Sequence, residues 1–441
     1  AVQAVDGVKD GRFTSEALVS ACLERIERTE PAIKAWAHID ADAALSQARE
    51  LDRMRAIGHA LGALHGVPIG LKDIVDTSDM PTECGTEINA GRQPDSDARL
   101  VEELREAGAV IMGKTATTEF AFMCPAPTTN PHDASRTPGG SSSGSAAAVA
   151  ARHVPLAIGT QTGGSVIRPA SFCGVYGFKP TRGTISRSGL FRTSVSLDQV
   201  GGFANTVEDI GLLTDALAGF DQRDPDSFAR PRAQMLAGAT ANAPIEPNFA
   251  WFDMPFHDRL DADANEGLEA VLSALGGQVE RFDTAPQLAG LVDVHRTIYD
   301  YELAENMAEL AASDWDRLSA EMQEALIRAK NVSQVQYEDA LAVKSSADAF
   351  FKELFNDVDA VIAPSAVGEA LPLSAGSTGD AIFCTIWTLA GLPCLTMPLL
   401  VGENEMPIGV QLIGAIEEDD RLLRTANWMQ KSLADGSETG E

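Results

Sequence analysis

Two clusters of glycine and serine constrain this chain more tightly than anything else in it. The first is Pro138-Gly139-Gly140-Ser141-Ser142-Ser143-Gly144-Ser145; the second is Gly159-Thr160-Gln161-Thr162-Gly163-Gly164-Ser165, which runs on into Val166-Ile167-Arg168-Pro169-Ala170. Taken alone, such segments read as flexible linkers, because Gly and Ser bury little and leave the backbone free. Their surroundings argue otherwise. Ala146 to Ala151 is a strong helix former, and Val154 to Ile158 is an apolar run of strand length. With a helix and a strand between them, neither cluster is a tether.

Two local patterns fail on context. Gly140-Ser141-Ser142-Ser143-Gly144 matches a nucleophile elbow formally, with Ser142 as its serine, but an elbow follows an apolar strand and residues 130–137 are polar and turn-like. A Gly-rich phosphate cradle opening a helix is the other pattern, and its Lys-Ser/Thr ending is missing. A third reading accounts for more residues. The stretch resembles the amidase signature family, whose pattern runs Gly-Gly-Ser-Ser-Gly-Gly-Ser, then a nucleophile in Gly-Gly-Ser, then Phe-Cys-Gly and Gly-Phe-Lys-Pro-Thr. Gly139 to Ser145, Gly163-Gly164-Ser165, Phe172-Cys173-Gly174 and Gly177-Phe178-Lys179-Pro180-Thr181 are the counterparts here. The spacing from Ser141 to Ser165 is also similar to the family's.

Composition narrows the function classes. At 441 residues and 44% apolar content the chain can bury a large core. Its formal net charge of -30 repels nucleic-acid phosphates and anionic membranes, so direct contact with either is not expected. No apolar run is long enough to span a bilayer, and the opening residues lack the basic flank and apolar core of a signal peptide, so the expected location is cytoplasmic. The six cysteines form no C-x-x-C pair and read as free buried thiols. The seven histidines show no metal-ligand spacing, and neither a metal nor another cofactor is expected.

In chain order, Thr14 or Ser15 caps a helix carrying Leu18, Cys22 and Ile26, ended by Pro31; a second helix spans 40–57 before Gly58. Gly66-Val67-Pro68-Ile69-Gly70-Leu71-Lys72-Asp73 is an apolar strand that delivers a Lys-Asp pair at its end. A helix over 97–107, Gly108 and a strand over 109–112 give the rhythm of an α/β protein. Gly113-Lys114-Thr115-Ala116 is similar to the family's Gly-Lys-Thr-Asn, with Ala116 where Asn is usual. An amphipathic helix over 206–217 precedes residues 221–248, which read as a linker or wrapping loop. Strand, helix and strand follow at 250–254, 262–275 and 278–282. Residues 290–355 read as a helical insertion, in which Ser333 and Gln336 form a capping box for a helix striped by Ala340, Val343, Ala347, Phe350 and Leu354. A strand returns at 358–364. The expected architecture is a single α/β domain over 1–441 with the amidase-signature fold, a large mixed β-sheet flanked by α-helices, and that helical insertion in its C-terminal half.

The resemblance also implies chemistry: Ser165 as nucleophile, Ser141 as bridging serine on a cis Gly140–Ser141 peptide, Lys72 as base, and backbone N–H groups of Thr162, Gly163, Gly164 and Ser165 as oxyanion hole. Acyl transfer from an amide needs a nucleophile, a base that later acts as the acid for the poor nitrogen leaving group, and N–H donors for the oxyanion; the bridging serine and its cis peptide are what the resemblance adds. A free lysine of pKa about 10.4 is neutral only roughly once in 2500 molecules at pH 7, a penalty of about 4.6 kcal/mol, so burial must lower it. Arg168 stands three residues after Ser165, a spacing resembling a malonamidase-like bacterial branch. Two readings of it stay open: a guanidinium that grips the carboxylate of a short amide substrate, or one paired with a structural carboxylate. The expected activity is hydrolysis of a small linear amide that bears a carboxylate. The alternatives are a glutaminase A-type subunit of a tRNA-dependent amidotransferase, or an amidase for neutral aryl or alkyl amides. A homodimer or a small partner subunit is left open.

Overall fold

Alternation of side chains along strands gives a sheet two faces, and here both are covered. In the computed structural model, which describes residues 1–283 and 286–438, the strands are β1 (Trp36–Ile39), β2 (Pro68–Lys72), β3 (Val110–Thr115), β4 (Leu156–Gln161), β5 (Tyr176–Lys179), β6 (Gln199–Ala204), β7 (Phe249–Asp253), β8 (Val279–Asp283), β9 (Ala360–Pro364), β10 (Cys394–Val401) and β11 (Pro407–Ile413). They form one eleven-stranded sheet in the order β1-β3-β2-β4-β6-β5-β10-β11-β9-β7-β8. Strand β2 is parallel to β3 and β4, and β7 is parallel to β8 and β9, while the remaining pairs are antiparallel. This is the mixed sheet of an α/β protein.

Odd and even residues of each strand go to different layers. On one face Ile111, Leu156, Ile158, Phe249, Trp251, Ala360 and Ile362 pack under helices Arg99–Glu106, Val207–Leu217, Ala262–Leu275 and Asp419–Glu438. On the other face Val110, Met112 and Ala157 meet helices Ser15–Ile33, Ala41–Ala56 and Ser143–Ala150. Further along that second face, Ala250, Phe252, Val361 and Ala363 meet helices Pro286–Asn306, Gln334–Asp357 and Ile382–Leu389. No helix among the described residues is long and apolar enough to cross a membrane.

Local chemistry sets most boundaries. Thr14 and Asp40 cap their helices by accepting from Ala17 N and Ala43 N. Pro31 does not end the first of these helices. It sits in the last turn, and the helix stops at Lys34, which adopts the left-handed conformation. Residues 221–248 hold one short helix, Met235–Thr240, and their first residues are tied down: Asp221 accepts from Ser186 Oγ at 2.6 Å and Asp224 from Arg187 Nη2 at 2.7 Å. Residues 290–355 are covered by helices Pro286–Asn306, Ala308–Ser313, Ala320–Ala329 and Gln334–Asp357, and the capping box of Ser333 and Gln336 is formed.

The expected stripe on that last helix holds at Ala340, Ala347 and Leu354, which pack on the core, and fails at two positions. Ala340 is buried, but Val343 is 45% and Phe350 39% exposed, while Phe351 and Phe355 are enclosed. The helix turns its other two phenylalanines inward, and Phe351 meets Trp387 edge-on with ring centroids 5.9 Å apart. Replacing Phe351 by Ala is therefore expected to destabilise the fold by about 3 to 5 kcal/mol, and replacing Phe350 by Ala by about 1 kcal/mol or less. Denaturant midpoints of the two variants measure the difference, and equal losses would contradict the observed face.

Candidate active site

Parallel pairing of β2 and β4 brings two strand ends together, and the polar residues there converge on one amine. Lys72 closes β2, is fully buried, and donates to Ser141 Oγ at 2.7 Å and to Thr160 Oγ1 at 2.8 Å. No carboxylate lies within ion-pair distance of it among the described residues. Burial pulls its pKa down to about 7, opposed in part by the negative charge of Asp198.

The other serines of the first cluster are committed to the backbone. Ser142 Oγ donates to Thr160 O and accepts from Thr160 N, each at 3.2 Å, which removes it as an elbow nucleophile. Ser143 Oγ donates to Gly139 O at 2.7 Å and Ser145 Oγ to Ile158 O at 2.8 Å. Ser141 alone of these reaches Lys72, and its peptide bond to Gly140 is cis. Gly139 has φ +81°, and a Cβ there would lie 2.9 Å from Pro169 Cα, so only glycine fits.

The second cluster turns from β4 into helix Ile167–Cys173. Gln161 Oε1 accepts from Val166 N at 2.9 Å and Ile167 N at 3.0 Å, which pins the start of that helix. Thr162 Oγ1 donates to Asp198 Oδ1 at 2.5 Å, and Asp198 also accepts from Thr193 N and Ser194 N. The carbonyls of Thr162 and Gly163 accept from His295 Nε2 and Thr388 Oγ1, both at 2.7 Å. The N–H groups of Gly163, Gly164 and Ser165 have no acceptor among the described residues. Ser165 Oγ likewise makes no hydrogen bond there, so the link from Lys72 to Ser141 is closed while that from Ser141 to Ser165 is not.

Ser165, Gly163 and Gly164 line a cavity of about 700 Å³, with Phe122, Met123 and Tyr299 on its walls. Arg168 also lines it. Its guanidinium is buried, and Nη2 donates to Gly140 O at 2.6 Å and to Thr378 Oγ1 at 3.3 Å, leaving Nε without a partner. The carboxylate partner weighed from the sequence is not found among the described residues; a backbone carbonyl takes its place. Thr160, Asp198, His295 and Thr388 are the site-shaping residues that sequence patterns did not single out. Thr160 sits inside the second Gly/Ser cluster, and Asp198 and Thr388 sit inside Ser196 to Gly201 and Trp387 to Pro393, two further stretches that resemble family segments without marking those residues, whereas His295 lies on a distant helix with no local signal.

The depressed lysine has a consequence for stability. Between about pH 7 and its unfolded value near 10.4, the unfolded chain binds a proton at Lys72 that the native chain does not, so stability rises with pH across that window and is flat below it. The stability advantage of a Lys72→Met variant over wild type is accordingly expected to shrink as pH is raised from 7 to 10, measured by denaturant titration. A difference independent of pH would mean that the native amine titrates normally.

Comparison with known proteins places the whole chain. The family model described as Amidase matches residues 17–423. A curated relative, the A-type subunit of the glutamyl-tRNA(Gln) amidotransferase of Chloroflexus aggregans, is 34% identical over 459 residues, covering 96% of this chain and 93% of the relative. Among solved structures, a chain from one described as an unexpected vestigial protein complex revealing the evolutionary origins of an s-triazine catabolic enzyme superposes with TM-score 0.91 at 29% identity, covering 98% of each chain. The A-type subunit of the glutamyl-tRNA(Gln) amidotransferase of Thermotoga maritima superposes with TM-score 0.79 at 30% identity, covering 95% of this chain and 91% of that one. This chain belongs to the amidase family and is an enzyme acting on the C–N bonds of amides.

Proposed function

We propose that the chain hydrolyses a small amide to carboxylate and ammonia or amine through an acyl-enzyme on Ser165. The observation that carries this reading is the 2.7 Å contact with Ser141 of a fully buried Lys72 that has no ion-pair partner among the described residues. A neutral Lys72 amine takes the Ser141 hydroxyl proton as Ser141 oxygen takes that of Ser165. Ser165 Oγ then bonds to the amide carbon, and the N–H groups of Thr162, Gly163, Gly164 and Ser165 hold the oxyanion. As the C–N bond breaks, the proton returns along the same path to the leaving nitrogen. Water, deprotonated by the same relay, cleaves the ester and restores Ser165. Protons and water alone balance every step.

For the substrate, Arg168 supports an amide bearing a carboxylate, because a buried guanidinium facing a cavity without an ion-pair partner is stabilised by an anionic ligand. On the setting in which the reaction runs, the amidotransferase relatives support one component of a larger enzyme more directly than they support a free-standing malonamidase-like hydrolase. An amide such as glutamine also carries a carboxylate, so Arg168 serves both readings. A net charge of -30 disfavours direct RNA contact but not a component whose partners hold the RNA.

The following outcomes test this. Ser165→Ala is expected to lower turnover by several decades, on the order of the 10⁶ lost by other nucleophile knockouts. In wild type, hydroxylamine is expected to intercept the acyl-enzyme, and kcat/KM is expected to climb as pH rises through about 7 and to level off above it as Lys72 becomes neutral. Assayed as the purified chain alone, ammonia release without a partner supports the free-standing enzyme, and release only on adding partner subunits supports the amidotransferase. Near-wild-type turnover in Ser165→Ala removes the acyl-enzyme reading altogether. Arg168→Ala is expected to lower kcat/KM for carboxylate-bearing amides by roughly ten- to a hundredfold more than for neutral amides of equal size, the worth of a charge-assisted hydrogen bond. Equal losses on both would assign Arg168 to holding the Gly140 carbonyl alone.

A further inference from the structure

The proposed oxyanion donors lie in a segment that cannot orient itself. Gly163 and Gly164 carry no side chains to pack, and glycine leaves the backbone the widest choice of directions. A peptide group, however, is planar and trans, so its C=O and its N–H point opposite ways. Whatever holds the Thr162 carbonyl therefore aims the Gly163 N–H, and whatever holds the Gly163 carbonyl aims the Gly164 N–H.

Both carbonyls are held from outside. His295, on helix Pro286–Asn306, donates from Nε2 to Thr162 O at 2.7 Å, and Thr388, on helix Ile382–Leu389, donates from Oγ1 to Gly163 O at 2.7 Å. A carbonyl only accepts, so Nε2 of His295 carries hydrogen, and its burial favours the neutral ring. Thr388 Oγ1 also receives Gln161 Nε2 at 2.9 Å and lies 3.0 Å from Cys384 O; the shorter contact is to Gly163. The side chain of Thr162 is fixed separately by Asp198. The helix that bears His295 is fastened to the same region a second and a third time, by Glu302 accepting from Ser196 N at 2.9 Å and by Asn306 Nδ2 donating to Thr193 O at 3.2 Å.

We infer that His295 and Thr388 are positioning residues that set the directions of the Gly163 and Gly164 N–H groups, so that the helical segment completes the acyl-transfer site rather than only covering it. The inference rests on the oxyanion role proposed above. Hydrogen bonding at each carbonyl also polarises its amide and strengthens the N–H as a donor, by roughly 10 to 30% per bond.

A short-chain alkyl fluorophosphonate tests it, because phosphonylation of Ser165 builds negative charge where the proposed donors point. Labelling of wild type and of His295→Leu, His295→Gln, Thr388→Val and Thr388→Ser is followed by mass spectrometry and resolved into kinact and KI. Loss of one oxyanion donor costs other enzymes about 10² to 10³ in rate, and a misaimed donor costs less. His295→Leu and Thr388→Val are therefore expected to lower kinact roughly ten- to a hundredfold with KI within about threefold. Gln, which keeps an N–H near the Nε2 position, and Ser, which keeps the hydroxyl, are expected to recover most of it. A kinact within about twofold of wild type in the Leu and Val variants overturns the inference, as does a loss confined to KI, or failure of Gln and Ser to do better than Leu and Val. Should His295→Leu fail to fold, the Thr388 pair and His295→Gln decide by the same criteria. Absence of label on Ser165 in wild type overturns the proposed function and this inference with it, whereas labelling with an unchanged kinact overturns this inference alone.

Discussion

An amine buried without a counter-charge is the condition around which this molecule is arranged. Three lysines are enclosed among the described residues, and their partners differ. Lys179 donates to Gln199 Oε1 at 2.7 Å and Leu392 O at 2.5 Å, and Lys114 to Val75 O at 2.6 Å and Thr82 Oγ1 at 2.5 Å. Each of these two amines has at least one carbonyl partner, which accepts and nothing more, so both act as cross-links between segments. Lys72 touches only hydroxyls, which both give and take protons. It can lose its charge without leaving a lone pair unmet. Desolvation supplies the drive, and strands β2, β3 and β4, buried throughout, supply the desolvation.

What could be read from residue order follows from the range of the interactions involved. Helix caps at Thr14 and Asp40, the capping box at Ser333, and the strand that ends at Lys72 are set by neighbours a few residues away and are visible in the chain, whereas the apolar run Val154 to Ile158 marks β4 but not its continuation through the polar Thr160 and Gln161. The two Gly/Ser clusters are legible because turns and close backbone approaches demand those residues. Pro31 misleads since a proline in a last turn removes little, and Val343 and Phe350 mislead since a helix with apolar residues on adjacent positions can present either face. His295 is invisible for another reason: it meets the loop through one bond, 133 residues away, and a single long-range bond leaves no periodic trace; Thr388, 225 residues from Gly163, lies in a family-like stretch, but nothing local assigns it to that carbonyl.

Family membership settles the scaffold and the class of bond attacked, and leaves the choice of substrate to the cavity walls. Those walls come from separate parts of the chain. Ser165 and Arg168 sit on the turn and helix after β4, Phe122 and Met123 on the segment after β3, and Tyr299 on the long helix Pro286–Asn306. The sheet is shared with a triazine-related neighbour and with an amidotransferase component, at TM-scores of 0.91 and 0.79. Specificity can change on such walls while the buried amine and its hydroxyls stay fixed.

The separation of 225 residues between Gly163 and Thr388 also bears on biosynthesis. At roughly 5 to 20 residues per second, a ribosome that has just added Gly163 needs about 11 to 45 s to reach Thr388. Throughout that interval both Gly/Ser clusters have emerged or are emerging, but the partner of the Gly163 carbonyl has not yet been made. A chain that ends in this interval thus carries Ser165, the proposed nucleophile, without the complete frame around it. The order of synthesis by itself withholds the frame of the Gly163 carbonyl until Thr388 has been made.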